Sequence, residues 1–292
     1  MEKAAKLISN SFLFKKSRKL YELNAQKWDY PLTKWQKLTV GTYMILRDYS
    51  NGKFPPKYEN ETATFEAEKA YQENLKRLGM DTKLLHTLTM QKPFQNGPMC
   101  NRYLKHYECL QLVMRKCGVH PPASILEVGC GSGWISEILA ITGFQVVATD
   151  LGDGHTVQLR KQSLDAKGLD AKLEYRQASM EYVHQALQPQ EVFDAVFVYE
   201  ALHHAHDWKK AIKSFHSVLA PNGWCFICNE PNLLHTFVSY RVGQLSNTHE
   251  IGMNPEKIKK ELKKTGFSKV IFFKNRLHWW VKPVWIAAQK SI

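Results

Sequence analysis

From Ser124 onward the sequence predicts an α/β protein, a mostly parallel sheet with helices on both faces. Two observations carry this. Apolar runs at 124–128, 145–149, 172–176, 193–199, 224–229, 270–274 and near 284–288 alternate with helical stretches at 134–142, about 155–167, about 180–187, 208–219 and 254–265. Such alternation demands crossover helices lying on a parallel sheet. The stops between elements are also marked, by Gly143, Gly168, Pro221-Asn222-Gly223 and Gly266, residues that end helices and turn the chain.

The first strand, Ser124-Ile125-Leu126-Glu127-Val128, runs into Gly129-Cys130-Gly131-Ser132-Gly133 before a helix opens at Trp134. A glycine-rich turn between strand and helix lets a ligand approach backbone where a Cβ would clash. The second strand, Gln145 to Thr149, ends on Asp150, where a carboxylate can hold the two ribose hydroxyls of a nucleoside cofactor. The turn is spaced G-x-G-x-G rather than G-x-G-x-x-G, and Glu127 stands two residues before its first glycine. A carboxylate there opposes a diphosphate and suits a cationic ligand. S-adenosyl-L-methionine brings a ribose, a sulfonium and an ammonium without phosphate, and fits.

On Glu127, Gly129, Gly131 and Gly133 the chain resembles the class I S-adenosylmethionine-dependent methyltransferases, whose first motif is E-x-G-x-G-x-G. The resemblance implies a Rossmann-like seven-stranded sheet with its last strand antiparallel. It also implies cofactor contacts from Asp150 and the following Leu151, and from Ser179 and Met180 beside the adenine. Ser179 stands where the family usually has Asp, which leaves the backbone of Met180 as the contact there.

After the fourth strand, Phe193-Asp194-Ala195-Val196-Phe197-Val198-Tyr199-Glu200-Ala201-Leu202-His203-His204 resembles the FDxxxxxxALHH block of the type 11 and type 12 methyltransferases, mostly small-molecule enzymes. Parallel sheets place ligands at the carboxyl ends of their strands, so Tyr199, Glu200, His203 and His204 are expected to line the pocket. The fifth strand ends in Asn229-Glu230-Pro231-Asn232, with His235 close behind. Transfer from a sulfonium to a hydroxyl needs alignment and a general base. His204 is the first candidate, ahead of His203, His235, Glu200, and Glu230 with a raised pKa. No [DN]-P-P-[YF] motif of exocyclic base methylation and no Pro-Cys pair occurs, which disfavours nucleic acid as the acceptor.

The 292 residues, 44% hydrophobic, suffice for one α/β domain and an extension. Residues 96–292 are assigned to the cofactor domain and residues 1–95 to a helical cap or lid, rich in aromatic and basic residues. Within the cap Glu61 to Met80 reads as one helix, and the N-terminal segment as a surface helix or frayed arm rather than a targeting signal. The helix Cys100 to Cys117 sets Tyr103, His106 and Tyr107 on one face, where they can look over the cofactor's methionine end.

The six cysteines include Cys225-x-x-Cys228 on a strand, where positions three apart face opposite sides and cannot share a metal. Reduced thiols of a cytoplasmic protein account for them, and no metal site is read. The net charge of +13 gathers at the ends: +7 over residues 1–60 and +8 over 256–292, leaving −2 between. Such ends can draw an anionic acceptor, an acidic lipid surface or nucleic acid. The expected protein is therefore a methyltransferase acting at oxygen on a small, lipid-linked or sugar-linked molecule. Its rivals are an RNA or protein methyltransferase docking through the basic ends, and a methyltransferase-like scaffold without turnover.

Overall fold

The computed structural model describes residues 12–24, 32–56, 60–77, 87, 89–94, 98–273 and 283–292. The chain divides into two compact units, one of Met1–Leu84 with Pro231–Gly252 and one of Leu85–Glu230 with Met253–Ile292. This partition differs from a cut at residue 95. The described residues 87 and 89–94 go with the sheet, and an excursion after the fifth strand goes with the N-terminal helices.

In the first unit, α1 (Phe12–Asn24), α2 (Lys34–Ser50), α3 (Glu61–Lys69) and α4 (Tyr71–Arg77) precede the sheet in sequence, and α9 (Thr236–Ser246) returns to them. A capping box opens α2: Gln36 N donates to Thr33 Oγ1 at 3.2 Å and Thr33 N to Gln36 Oε1 at 2.8 Å. Val40, Met44 and Ile45 of α2 form a small core with Tyr240 of α9. Gly41 lets the two helices touch, because a Cβ there would sit 1.8 Å from the Phe237 carbonyl oxygen. The buried Asp48 accepts from Tyr240 Oη at 2.9 Å. The single helix expected over 61–80 breaks at Ala70, and residues 78–80 lie outside the described set. A polar cavity of about 600 Å³ lined by Arg47, Asp48, Lys53 and Tyr240 lies within this unit and contains none of the sequence-predicted site residues.

The second unit is the predicted α/β layer structure. Its elements are α5 (Pro98–Lys116), β1 (Ser124–Val128), α6 (Trp134–Ile141), β2 (Gln145–Asp150), α7 (His155–Ala166), β3 (Leu173–Gln177), β4 (Phe193–Tyr199), α8 (Trp208–Ser217), β5 (Leu219–Glu230), α10 (Pro255–Thr265), β6 (Phe267–Phe272) and β7 (Val284–Lys290). The sheet order is β3-β2-β1-β4-β5-β7-β6. β1 to β5 pair in parallel, and β7 runs antiparallel to both neighbours. Along β4, Ala195, Phe197 and Tyr199 enter one apolar layer with Leu110, Ile135 and Leu164. Val196 and Val198 enter the other with Ile212, Phe215, Ile258 and Leu262. Period-two alternation thus supplies two cores from one strand.

Cys228 belongs to the first layer and Cys225 to the second, as the strand spacing required. Burial pushes the Cys225 thiol up to about 12, so it is inert. β5 begins earlier than expected and carries Pro221-Asn222-Gly223 within it, Asn222 at φ 61°. Among the described residues no helix is long and apolar enough to cross a membrane.

Candidate active site

Five strand ends converge at the carboxyl edge of the sheet, and the sequence-predicted residues of the second unit gather there. Gly129, Gly131 and Gly133 all take left-handed backbone, at φ 71°, 53° and 68°. They differ in what excludes a side chain. A Cβ on Gly129 would meet Ala201 Cβ at 2.7 Å and Met180 Cε at 2.8 Å, and one on Gly133 would meet Val157 Cγ2 at 2.7 Å. Those two glycines are required by packing. Gly131 has nothing within 4 Å of its missing Cβ, so its side is open to a ligand. The turn is closed by Gly129 N and Cys130 N donating to Thr149 O at 2.8 and 3.0 Å.

Asp150 ends β2 facing that opening. Its Oδ2 accepts from Gly131 N at 2.8 Å and its Oδ1 from Gly152 N at 3.2 Å, which fixes the carboxylate and leaves lone pairs for hydroxyl donors. Leu151 follows, its carbonyl accepting from Gln177 Nε2 at 2.7 Å. After β3, Ala178 N donates to Asp150 O at 2.9 Å, bringing Ser179 and Met180 against the turn. Ser179 is buried and stands at the N-cap of the 3-10 helix Met180–Ala186 without a side-chain cap bond.

Glu127 is buried at 2% exposure beneath the turn and accepts from Ser136 Oγ of α6. Burial pushes its carboxyl up to about 8, with the Ser136 hydrogen bond opposing and the Asp150 charge adding to the rise. Because the folded pKa exceeds the ordinary value, the folded state binds the Glu127 proton more tightly. Stability from this group is present below about pH 4.5 and is lost as pH rises to about 8. Chemical denaturation across that window should show this decline, and Glu127→Gln should flatten it. A cation bound above the turn lowers the same pKa, so its binding near pH 7 should release a proton.

The ends of β4 and β5 carry strained backbone. Glu200 and Asn229 adopt φ 49° and 56°, costly for non-glycine residues and characteristic of functional sites. The strain turns their side chains together. Asn229 Nδ2 donates to Glu200 Oε1, which also accepts from Arg102 Nη2 of α5 at 3.0 Å. Trp285 Nε1, a donor only, lies 3.3 Å from Asn229 Oδ1 and so fixes the amide orientation. The Asn229 Nδ2 then faces His106 Nδ1 at 3.4 Å, so that nitrogen accepts, and Tyr199 Oη donates to it at 2.6 Å. The face of α5 expected to carry Tyr103, His106 and Tyr107 does present Tyr103 and His106 to this core, with Trp134 between Tyr103 and Tyr199 at centroid distances of 5.5 and 5.9 Å.

Glu230 corrects an expectation. Its carboxylate is fully buried and accepts from Ala201 N at 2.8 Å, Leu202 N at 2.9 Å, His203 N at 3.2 Å and His203 Nδ1 at 2.8 Å. Burial alone would raise its pKa, but these donors, His203 foremost, hold it below the ordinary carboxylate range. A general base needs a raised value and a free lone pair, so Glu230 is a brace that organises the 3-10 turn Leu202–His204. His203 is tied to that brace. His204 is half-buried, its ring 4.1 Å from the His203 ring and tilted by 41°. His235 belongs to the first unit, in the 3-10 turn Leu233–His235 ahead of α9.

Two residues escaped the sequence reading. Arg160 of α7 is buried; its Nε donates to Ser132 O at 2.7 Å, Nη1 to Glu137, and Nη2 to the carbonyls of Thr89, Met90 and Lys92 at 3.2, 3.2 and 3.1 Å. It hangs the 89–92 segment from the glycine turn. Its only sequence signal is an arginine on the apolar face of a helix, between Val157 and Leu164. Lys92 is the second, brought to Tyr103 by that tether.

A seven-stranded sheet of this order with an antiparallel β7, and a left-handed glycine turn answered by an acidic residue at the end of β2, define a class I S-adenosylmethionine-dependent methyltransferase. The chain belongs to the methyltransferase domain family, whose profile matches residues 101–270. It is similar to the mitochondrial ubiquinone biosynthesis O-methyltransferase of Bos taurus, 29% identical over 53% of this chain and 46% of that one. It is also similar to a ubiquinone biosynthesis O-methyltransferase of Xanthomonas campestris, 38% identical over 37% of this chain and 43% of that one. The chain thus spans less than half the length of these relatives. Among solved structures, the magnesium protoporphyrin IX methyltransferase of Synechocystis with bound S-adenosylhomocysteine shares the fold, with a TM-score of 0.53 and 17% identity over 72% of this chain and 95% of that one.

Proposed function

We propose that the protein transfers a methyl group from S-adenosyl-L-methionine to a hydroxyl oxygen of a small, lipid-linked or sugar-linked acceptor. The observation that carries the reading is the open side of Gly131 facing the fixed carboxylate of Asp150. In it, Asp150 takes the ribose hydroxyls and Gly129, Gly131, Gly133 and Leu151 line the nucleoside side. Ser179 and the backbone of Met180 border the adenine, and Glu127 and Tyr199 lie toward the amino-acid end. The cofactor supplies an activated methyl carbon. The chain's own tasks are to align the acceptor oxygen and remove its proton, the latter assigned to His204. Hydroxyl acceptors are favoured because the curated relatives are O-methyltransferases.

The basic ends support an anionic acceptor or peripheral contact with an acidic membrane surface, and the absent base-recognition motifs weigh against nucleic acid. A cytoplasmic setting accords with the six unpaired cysteines. Calorimetry tests the cofactor reading. S-adenosylhomocysteine should bind at micromolar affinity and NAD should not bind. Asp150→Ala should weaken S-adenosylhomocysteine by about 1.5–3 kcal/mol, the scale of hydrogen bonds to a charged group. Tight NAD binding, or an indifferent Asp150→Ala, contradicts the assignment.

A further inference from the structure

The charged groups of the sheet unit fall into two kinds. Some are held in ion pairs, as are Arg160 with Glu137, Arg176 with Glu174 and Glu191, and Arg102 with Glu200. Lys92 is different. Its side chain is half-buried, its ammonium lies 5.3 Å from the centre of the Tyr103 ring, and among the described residues no acceptor is within hydrogen-bond reach of it. The charges that face it are Glu200, Arg102 and Arg160. Oε1 of Glu200 already accepts from Arg102 and Asn229. The backbone of Lys92 is not free to retreat, because its carbonyl is held by Arg160.

A sheltered ammonium with two cationic neighbours and one shared carboxylate is under-compensated, and such a charge calls for a counter-ion. Burial pushes it below the ordinary lysine range, Arg102 and Arg160 add to that, and Glu200 opposes it.

We propose that Lys92 is the anion-binding residue of the acceptor site, receiving a carboxylate of the molecule to be methylated, with Arg102 as the second cation and the buried Tyr103 ring supporting the Lys92 ammonium. This rests on the methyltransferase reading above. A carboxylate can also come from the amino-acid end of the cofactor, so the test separates the two sources.

The full chain saturated with S-adenosylhomocysteine is titrated calorimetrically with benzoate and with its neutral analogue benzamide. Benzoate should bind, Lys92→Met should weaken it about tenfold, and Lys92→Arg should restore it to within about threefold, the loss expected for one charge-assisted hydrogen bond. Benzamide should be indifferent to both substitutions. Benzoate binding at alkaline pH should also take up protons, measured by comparing buffers of different ionisation enthalpy, because the anion favours the charged amine; Lys92→Met should abolish the uptake. The Arg variant guards against misfolding of the Met variant.

Saturable benzoate binding that ignores Lys92→Met, or no benzoate binding to the wild type, overturns the proposal. So does a Lys92→Met variant that weakens S-adenosylhomocysteine but not 5′-methylthioadenosine, which would assign the ammonium to the cofactor's carboxylate. Failure of S-adenosylhomocysteine to bind the wild type is a distinct result, which overturns the cofactor reading and this proposal with it.

Discussion

Gly131→Asp should abolish binding of S-adenosylhomocysteine while leaving the protein folded. Gly131 is the one glycine of the turn whose missing Cβ meets nothing within 4 Å, so the added side chain enters open space rather than the core. The left-handed φ of 53° costs an L-residue about 1–2 kcal/mol, which a thermal melt should register as a modest fall. Binding suffers for a separate reason. The new carboxylate occupies the ligand's side of the turn and repels Asp150, whose Oδ2 sits 2.8 Å from Gly131 N. Gly133→Asp should behave oppositely, because its Cβ would meet Val157 at 2.7 Å and stability is lost first. Calorimetry beside melting curves separates the two, and a Gly131→Asp protein that binds normally would place the cofactor elsewhere.

His204→Gln should lower turnover by about 10²–10⁴ while cofactor affinity stays within a few-fold. The residue is half-buried, follows the strand whose end faces the glycine turn, and packs on a His203 ring that Glu230 holds in place. The pH–rate profile should lose its limb in the histidine range. If His203→Gln abolishes turnover and His204→Gln does not, the proton goes to the braced histidine. If both are silent, alignment alone drives transfer, as expected for an amine or an already acidic acceptor.

Much of the sheet unit was legible because its signals are local. Continuous apolar runs mark the central strands, buried on both faces, glycines mark the stops, and the turn from Gly129 to Gly133 announces itself by residue type. What was missed depends on distant partners. Thr236–Ser246 is a poor helix by composition, with β-branched residues, serines and a glycine. It is helical because Tyr240 and Phe237 pack on α2, a tertiary override that no window of sequence contains. Glu230 looked like a base from its position after a strand. Its role was decided by three backbone amides and a ring nitrogen that arrive from residues 201–203. Lys92 and Arg160 carry no motif at all, and they matter through carbonyl groups that sequence does not distinguish.

The excursion of residues 231–252 into the first unit bears on how the chain emerges during synthesis. α2 is complete some 190 residues before Tyr240 exists to donate its hydroxyl to Asp48. The early helices therefore leave the ribosome with Val40, Met44 and Ile45 lacking their partner from α9, and must wait while the strands β1 to β5 are made. Closing so long a loop is entropically slow, and exposed apolar faces in the interval invite association or chaperone binding. A ribosome-stalled chain ending before residue 231 should be cut readily by protease within residues 34–50, whereas one that has released residue 252 should resist.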